Sequence, residues 1–295
     1  MSTEPEIAIN GRTQIFGIIG NPVGHSLSPL IHNAAFQSKK INAAYIPLQV
    51  ENAGASLKKG LQVLDSLKGF SVTIPHKAWA CKNADSRDEL TECCGAANTL
   101  IKDESGELRA YNTDGPGALE ALRRNLGRLN GKRFLLLGYG GSATAIAHAL
   151  LIDENPAVLM VHGRNSRKLN KFTDELNERH GHRNTLIRAI GFQDLDPSDV
   201  DIIIHTTPLG MQGQSQELPL PEEFLRDHHA VFDIVYTPAR TPLLEAARRK
   251  KARTIPGYLM LLYQAVLQFE LFTGDKAPEN LMESELLRAL RSRSS

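Results

Sequence analysis

Short apolar runs alternate with amphipathic stretches along most of the 295-residue chain, and this alternation limits the possible folds more than any other feature of the sequence. The apolar runs predict β-strands, and the stretches between them predict helices. Because a strand, a helix and a second strand form a βαβ unit, the pattern predicts the α/β class with parallel sheet. The predicted strands form two series, 15–20, 44–50, 69–74, 98–102 and 108–112, and then 133–138, 157–162, 186–190, 201–205 and 230–234.

The two series predict two domains, with the boundary within residues 115–126. A chain of this length is also expected to form about two domains. We expect residues 1–115 to form the first domain and residues 116–257 to form the second. Residues 258–295 are predicted to be helical and to return to the first domain. The other predicted helices are 55–67, 117–125, 142–151 and 167–179.

Composition and charge exclude several classes of function. The chain has 34 basic and 33 acidic residues, so it has no general electrostatic attraction for nucleic acid or anionic membranes. No apolar run approaches the roughly 20 residues that span a bilayer, and the N-terminal segment does not have the pattern of a secretory signal. Three cysteines, two of them adjacent, fit a reducing compartment better than a disulfide framework or a zinc site. We therefore expect a cytoplasmic protein with no nucleic-acid partner, no membrane partner and no metal.

A glycine-rich turn follows the predicted strand 133–138. Gly138, Gly140 and Ala143 occupy the three small-residue positions of the dinucleotide-binding fingerprint, and a predicted helix follows them. The free N–H groups at the start of such a helix favour a pyrophosphate. The second domain is therefore predicted to be Rossmann-like and to bind a dinucleotide, with a plain strand-to-helix turn as the alternative.

The residues after the next strand indicate which dinucleotide is bound. An NAD site usually places Asp or Glu at this point, but this chain has Gly163, followed by Arg164, Arg167 and Lys168. The planar guanidinium of arginine suits a 2′-phosphate, so the sequence favours NADP. The alternative is a solvated basic start to a helix.

Three polar segments follow strands of the first series, where open α/β sheets bind ligands. Ser28 is predicted to be the N-cap of a helix whose first residue is Pro29, whereas Ser26 has no such structural role. The two hydroxyls could hold a small carboxylate. Lys77 and Asp114 could form a proton-transfer pair, with a surface lysine and a turn-forming aspartate as the alternatives.

At these motifs the chain resembles the shikimate dehydrogenase family. Any one of the matching stretches is short, but together they follow the order of the family and span almost the whole chain. They are residues 20–29, 72–77, 95–99, 112–115, 138–142, 207–211, 233–238, 257–264 and 272–274.

The resemblance implies reversible, NADPH-dependent reduction of 3-dehydroshikimate to shikimate in aromatic amino-acid biosynthesis. The first domain would bind the substrate and the second would bind NADP. Lys77 would be the acid and base for the reacting hydroxyl, and Asp114 would hold a ring hydroxyl and orient Lys77. The implied substrate contacts are Ser26, Ser28, Thr73, Asn98, Tyr236 and Gln264. The implied cofactor contacts are Gly138, Gly140, Gly141, Ser142, Ala143, Arg164, Lys168, Met211 and Gly257.

The chain also departs from the family pattern, and two other functions stay open. One is a quinate/shikimate dehydrogenase paralogue with altered substrate or cofactor preference. Ser28 favours shikimate, because quinate-active relatives often carry Thr there. The other is a non-catalytic ligand-binding regulator, against which the retained Lys77 and Asp114 argue. The sequence leaves open a monomer or a homodimer. The departures are Ser71, Ala110, Gly163, Asn165 and His205.

Overall fold

The computed structural model describes residues 9–292, which form two compact units. The first unit contains the described residues up to Thr113 together with those from Gln264 onward. The second unit runs from Asp114 to Tyr263. The assignment of substrate and cofactor functions to these units stays a prediction.

The first unit is built on a six-stranded sheet of mixed direction. Strand β1 pairs in parallel with β2 and β3, as the alternating pattern predicts. The expectation of parallel pairing is wrong for β5, which is antiparallel to both β3 and β6. A short connection joins β5 to β6, and so short a connection permits only antiparallel pairing. The strands are β1 (Gln14–Gly20), β2 (Ala43–Gln49), β3 (Leu67–Val72), β4 (Ser86–Arg87), β5 (Thr99–Lys102) and β6 (Leu108–Tyr111), in the spatial order β2-β1-β3-β5-β6-β4.

The second unit contains a parallel six-stranded sheet with Rossmann-like topology, as predicted. Its central strand, β7, is an almost unbroken apolar run, which suits a strand covered on both faces. The sixth strand, β12, is not predicted from the sequence because its four residues contain one arginine, one proline and a single aliphatic side chain. The strands are β7 (Arg133–Leu137), β8 (Val158–His162), β9 (Leu186–Ala189), β10 (Ile202–His205), β11 (Ala230–Asp233) and β12 (Arg253–Pro256), in the spatial order β12-β11-β10-β7-β8-β9.

The helices follow the predicted pattern where they are long. Three short helices, α3, α4 and α8, were not predicted, because a segment of two turns offers too few apolar positions to show a helical period. Among the helices described between residues 9 and 292, none is long and apolar enough to cross a membrane. The helices are α1 (Ser28–Ser38), α2 (Ala55–Val63), α3 (Lys77–Asn83), α4 (Glu89–Cys94), α5 (Asp114–Leu126), α6 (Gly141–Asp153), α7 (Ser166–His180), α8 (Pro242–Arg249), α9 (Tyr258–Thr273) and α10 (Glu279–Ser292).

Helix α10 and the part of α9 from Gln264 onward belong to the first unit. Helix α10 packs against α1, and Phe272 of α9 lies against Phe16 of β1 with ring centroids 5.0 Å apart. Segments from the beginning and the end of the described residues therefore both contribute to the core of the first unit.

A buried histidine lies in this core. His32 stacks on Tyr45 with ring centroids 4.5 Å apart and an interplanar angle of 7°. Burial lowers the pKa of His32 to about 3, because the charged imidazolium would lose its hydration. The side chain of Gln268 opposes this shift, although among the described residues neither ring nitrogen has a partner at hydrogen-bonding geometry. His32 is therefore neutral in the folded protein.

This burial predicts a dependence of stability on pH. Between pH values of about 6.5 and 3 the unfolded chain binds a proton at His32 that the folded protein does not, so the free energy of unfolding falls as pH is lowered through this range. From pH 6.5 to 5 the loss is expected to be about 2 kcal/mol from His32 alone. Urea unfolding at both pH values measures it. In His32→Phe, which keeps an aromatic ring on Tyr45, the dependence should be weaker by this amount, and parallel pH curves for the two proteins would contradict the assignment.

Candidate functional site

The three polar segments of the first unit meet at one edge of its sheet. The amide of Asn21 donates to the carbonyl of Ile74 at 3.0 Å, which joins the segment after β1 to the segment after β3. The amide of Val72 donates to the carbonyl of Asn98 at 2.7 Å, which joins the segment after β3 to the residue before β5. This edge brings together the predicted substrate residues of the first unit.

The two serines after β1 have structural roles opposite to those predicted. Helix α1 begins at Ser28, one residue earlier than expected, and its N-cap residue is Leu27. The prediction that Ser28 caps the helix is therefore wrong. Instead, the Oγ of Ser26 accepts a hydrogen bond from the backbone N–H of Ser28 at 3.2 Å. The side chain of Ser28 is free of a capping role, and it is 6% exposed.

Ser28 and Ser71 lie close to a buried tyrosine. Burial raises the pKa of Tyr45, and the hydroxyls of Ser71 and Ser28 oppose this shift, although no described residue meets the tyrosine hydroxyl at hydrogen-bonding geometry. The Oγ of Ser71 donates to Oε1 of Gln268 at 2.7 Å. Ser71, one of the residues that depart from the family pattern, therefore has a specific hydrogen-bond partner on α9.

A second group of buried polar residues surrounds Asn98. Its Oδ1 accepts from the backbone N–H of Thr113 at 2.8 Å, and its Nδ2 donates to Thr113 Oγ1 at 2.9 Å and lies 3.5 Å from Gln264 Oε1. Gln268 completes the group, because its Nε2 donates to the carbonyl of Asn98 and to Thr99 Oγ1 at 3.0 and 2.9 Å. The sequence analysis does not predict a role for Gln268. Its position one helical turn after Gln264, on the same face of α9, is a signal that could have revealed it.

Lys77 and Asp114 are each the first residue of a helix, and both lie next to residues of this network. Lys77 is the first residue of α3, and its carbonyl accepts from the amide of Ala97 at 2.9 Å. Asp114 is the first residue of α5 and directly follows Thr113, whose backbone and side chain both bond to Asn98. Lys77 belongs to the first unit and Asp114 to the second.

The second unit contains a cavity of about 410 Å³ at the carboxyl ends of β7, β8 and β10. Its walls are the glycine turn after β7, the residues that follow β8 and the loop that follows β10. Apart from the chain neighbours and the backbone of the same helix, no described atom lies within 4 Å of a Cβ built on Gly140 or on Gly141. This open space beside the start of α6 leaves the backbone N–H groups accessible to a pyrophosphate, so the residues present fit a dinucleotide.

The remaining cofactor candidates differ in how they relate to this cavity. Ser142 and Ala143 lie in the first turn of α6, and Ala143 is fully buried, as its predicted packing role requires. Arg164 lines the cavity. Asn165 is the N-cap of α7, where its Oδ1 accepts from the backbone N–H of Lys168 at 3.0 Å. Lys168 is not among the described residues that line the cavity, and its side chain is exposed.

Met211, Tyr236 and Gly257 lie on connections that follow strands of the second sheet. Met211 and Tyr236 are 39% and 36% exposed, and a hydrogen bond of 2.9 Å from Gln212 N to the carbonyl of Thr237 links their two segments. A Cβ on Gly257 would lie 2.5 Å from the carbonyl carbon of Ile234. Close packing of the backbone therefore requires glycine at position 257, independently of any cofactor.

A buried network that sequence reasoning missed lies under the loop after β10. Nδ1 of His205 lies 2.9 Å from Asp233 Oδ1, and Nε2 lies 2.5 Å from Thr207 Oγ1, a residue that lines the cavity. The carboxylate of Asp233 also accepts from Thr241 Oγ1 at 2.6 Å and from the amide of Val235 at 3.1 Å. His205 and Asp233 are fully buried. The network thus connects the ends of two strands to the wall of the cavity.

A Rossmann-like unit with an open glycine turn and an α/β unit with polar side chains at its strand ends are the parts of a dinucleotide-dependent dehydrogenase. Comparisons with known proteins agree. Residues 18–100 match the shikimate dehydrogenase substrate binding domain, and residues 257–287 match the shikimate 5'-dehydrogenase C-terminal domain. The chain belongs to the shikimate dehydrogenase family, as the sequence motifs predict.

Relatives match along nearly the full chain. The shikimate dehydrogenase (NADP+) of Leptospira interrogans is 40% identical over 90% of this chain and 91% of its own length. A solved shikimate dehydrogenase in complex with NADP+ is 35% identical, with a TM-score of 0.86 over 96% of this chain and 97% of its own. The shikimate 5-dehydrogenase of Listeria monocytogenes, solved with shikimate and NAD, is 29% identical, with a TM-score of 0.87 over 95% and 98% of the two chains.

The His205 network predicts how two substitutions differ. His205→Ala removes one donor from a fully buried carboxylate and is expected to lower the free energy of unfolding by about 3 kcal/mol. His205→Asn can present an amide nitrogen where Nδ1 lies and should lose less. Urea unfolding measures both variants, and equal losses would show that the hydrogen bond to Asp233 does not account for the effect.

Proposed function

We propose that the protein is an NADP-dependent shikimate dehydrogenase, which interconverts shikimate and NADP+ with 3-dehydroshikimate, NADPH and a proton. The observation that carries this proposal is the 40% identity to an NADP+-dependent shikimate dehydrogenase along 90% of the chain. The buried polar residues of the first unit and the glycine-turn cavity of the second supply the two kinds of binding site that the reaction needs.

The cavity of the second unit supports NADP as the cofactor. Gly140 and Gly141 leave space for the pyrophosphate at the start of α6, and Arg164 lines the same cavity and can pair with a 2′-phosphate. When bound, the nicotinamide accepts or supplies the hydride. We further infer that Met211 and Gly257 flank the nicotinamide and that Lys168 assists Arg164.

The strand ends of the first unit support a small polyhydroxylated acid as the substrate. The hydroxyls of Ser26 and Ser28 would hold its carboxylate at the start of α1, where the helix dipole also favours an anion. Thr73, Asn98 and Gln264 would meet its ring hydroxyls. The hydrogen bonds around Asn98 hold two of these side chains in defined positions, which is what selective recognition of hydroxyl groups requires.

Proton transfer is assigned to Lys77 and Asp114. Lys77 would take the proton of the reacting hydroxyl during oxidation and return it during reduction. Asp114 would accept a hydrogen bond from a ring hydroxyl and orient the lysine. Tyr236 would line the same site. Support comes from the backbone, because Ala97 bonds to the carbonyl of Lys77 while its neighbour Asn98 bonds to Thr113, the residue before Asp114.

An assay with shikimate and quinate, each with NADP+ and NAD+, tests the proposed function. The purified protein is expected to reduce NADP+ with shikimate faster than any other pair, and the appearance of reduced nicotinamide is followed by its absorbance. Faster reaction with quinate would favour the quinate/shikimate paralogue. Binding of shikimate without turnover of either acid would favour the regulator.

Replacing the proposed acid and base tests the mechanism. Lys77→Ala is expected to lower kcat by about 100-fold or more, because a positioned acid–base group contributes at least that factor. The Kd for shikimate should change little. Lys82→Ala removes a lysine from the last turn of the same short helix and serves as the matched control. A kcat near that of the unaltered protein would remove Lys77 from the mechanism.

A further inference from the structure

The ring of Tyr139 lies directly against the backbone of Gly163. A Cβ built on Gly163 would be 2.2 Å from Cε1 and 2.5 Å from Cδ1 of the tyrosine ring. These distances are far shorter than any real carbon–carbon contact between non-bonded groups. In this arrangement the ring occupies the space into which any side chain at position 163 would project.

The sheet register explains why these two residues meet. Strands β7 and β8 are adjacent and parallel, with Leu137 paired to His162, and the amide of Gly138 donates to the carbonyl of His162 at 2.9 Å. Position 139 lies in the turn after β7, and position 163 directly follows β8. Both residues line the 410 Å³ cavity.

Position 163 is the place where an NAD-binding unit presents the carboxylate that bonds the ribose hydroxyls. Here the glycine does not leave room for the cofactor, in contrast to Gly140 and Gly141, because the space beside it is already filled by the tyrosine ring. The next residue, Arg164, lines the cavity with a cation instead. Glycine at position 163 gives the ring of Tyr139 its place, and it also means that this position carries no acidic side chain.

We propose that Tyr139 is a specificity-determining residue, whose ring over Gly163 blocks a ribose-binding carboxylate and commits the cavity to a dinucleotide with a 2′-phosphate. This inference rests on the proposed function, because it concerns how the same cavity selects NADP. The selectivity then has two parts, which are the cation of Arg164 and a position 163 beside which the ring of Tyr139 leaves no room for an acidic side chain.

The first test measures, in the full chain, whether the effect of a side chain at position 163 depends on the ring of Tyr139. Gly163→Ala alone is expected to lower the Tm without cofactor and to weaken NADP binding about tenfold, since the added methyl group displaces the ring. In a Tyr139→Ala background the same change should have little effect on either quantity. Gly11→Ala, at an exposed turn where a built Cβ meets nothing within 4 Å beyond its chain neighbours, is the control for the Tm.

The second test measures cofactor preference by isothermal titration calorimetry with NADP and NAD. Gly163→Asp alone is expected to weaken the binding of both. Tyr139→Ala combined with Gly163→Asp should shift the ratio of the two Kd values towards NAD by about tenfold or more relative to Tyr139→Ala, because the carboxylate can then reach the ribose hydroxyls and repels a phosphate. If a Gly163 variant folds only in the Tyr139→Ala background, that result also supports the steric dependence.

Two results would overturn the inference. One is an equal effect of Gly163→Ala on Tm and binding in both backgrounds, and the other is an unchanged cofactor preference in the double variant. Arg164→Ala separates this failure from failure of the proposed function. If that variant loses affinity for NADP but not for NAD while position 163 behaves independently of Tyr139, the proposed function stands and this inference alone is wrong. If the unaltered protein binds neither cofactor, both are wrong.

Discussion

The strand ends of the first sheet depend on two amide side chains from a single helix. The side chain of Gln268 bonds to Ser71 of β3 and to two groups at the start of β5. The side chain of Gln264 lies beside the amide nitrogen of Asn98, and its backbone carbonyl accepts a hydrogen bond from the hydroxyl of Thr113. An amide buried without partners costs several kcal/mol, so α9 has one favourable position against these strands. The proposed roles of Lys77 and Asp114 depend on this position, because the network fixes the backbone next to Lys77 and before Asp114.

Specific partners within each unit also explain how the chain accommodates its departures from the family pattern. Ser71 bonds to Gln268, His205 bonds to the buried Asp233, and Asn165 caps α7. Gly163 leaves the space that the ring of Tyr139 fills. Each of these four residues has a partner in its own unit, so these positions are parts of packed or hydrogen-bonded groups. Ala110 is fully buried in β6, and nothing else in the structure explains it.

The sequence predicted those parts of the fold that have strong local signals. The buried strand β7, the glycine turn and α6 were predicted as one unit, because apolar runs, turn glycines and helical spacing act within a few residues of each other. The same local reasoning placed the N-cap of α1 at Ser28 instead of Leu27, since the first residue of a helix is set by backbone angles that several turn sequences allow. It also missed β4, β12 and three short helices, whose apolar residues are too few to show a period.

The α/β class, the family, the glycine-turn site and the residues that could carry the chemistry can be recognised in the sequence, because each of these leaves a contiguous motif. The pairing of distant side chains, such as His205 with Asp233 and Tyr139 with Gly163, is visible only in the folded chain. Such pairs arise where parallel strands end at a common edge of the sheet, and the strand order is fixed by packing of the whole unit. No local pattern records that order, so hydrogen bonds and steric exclusion between strand ends appear only once the chain has folded.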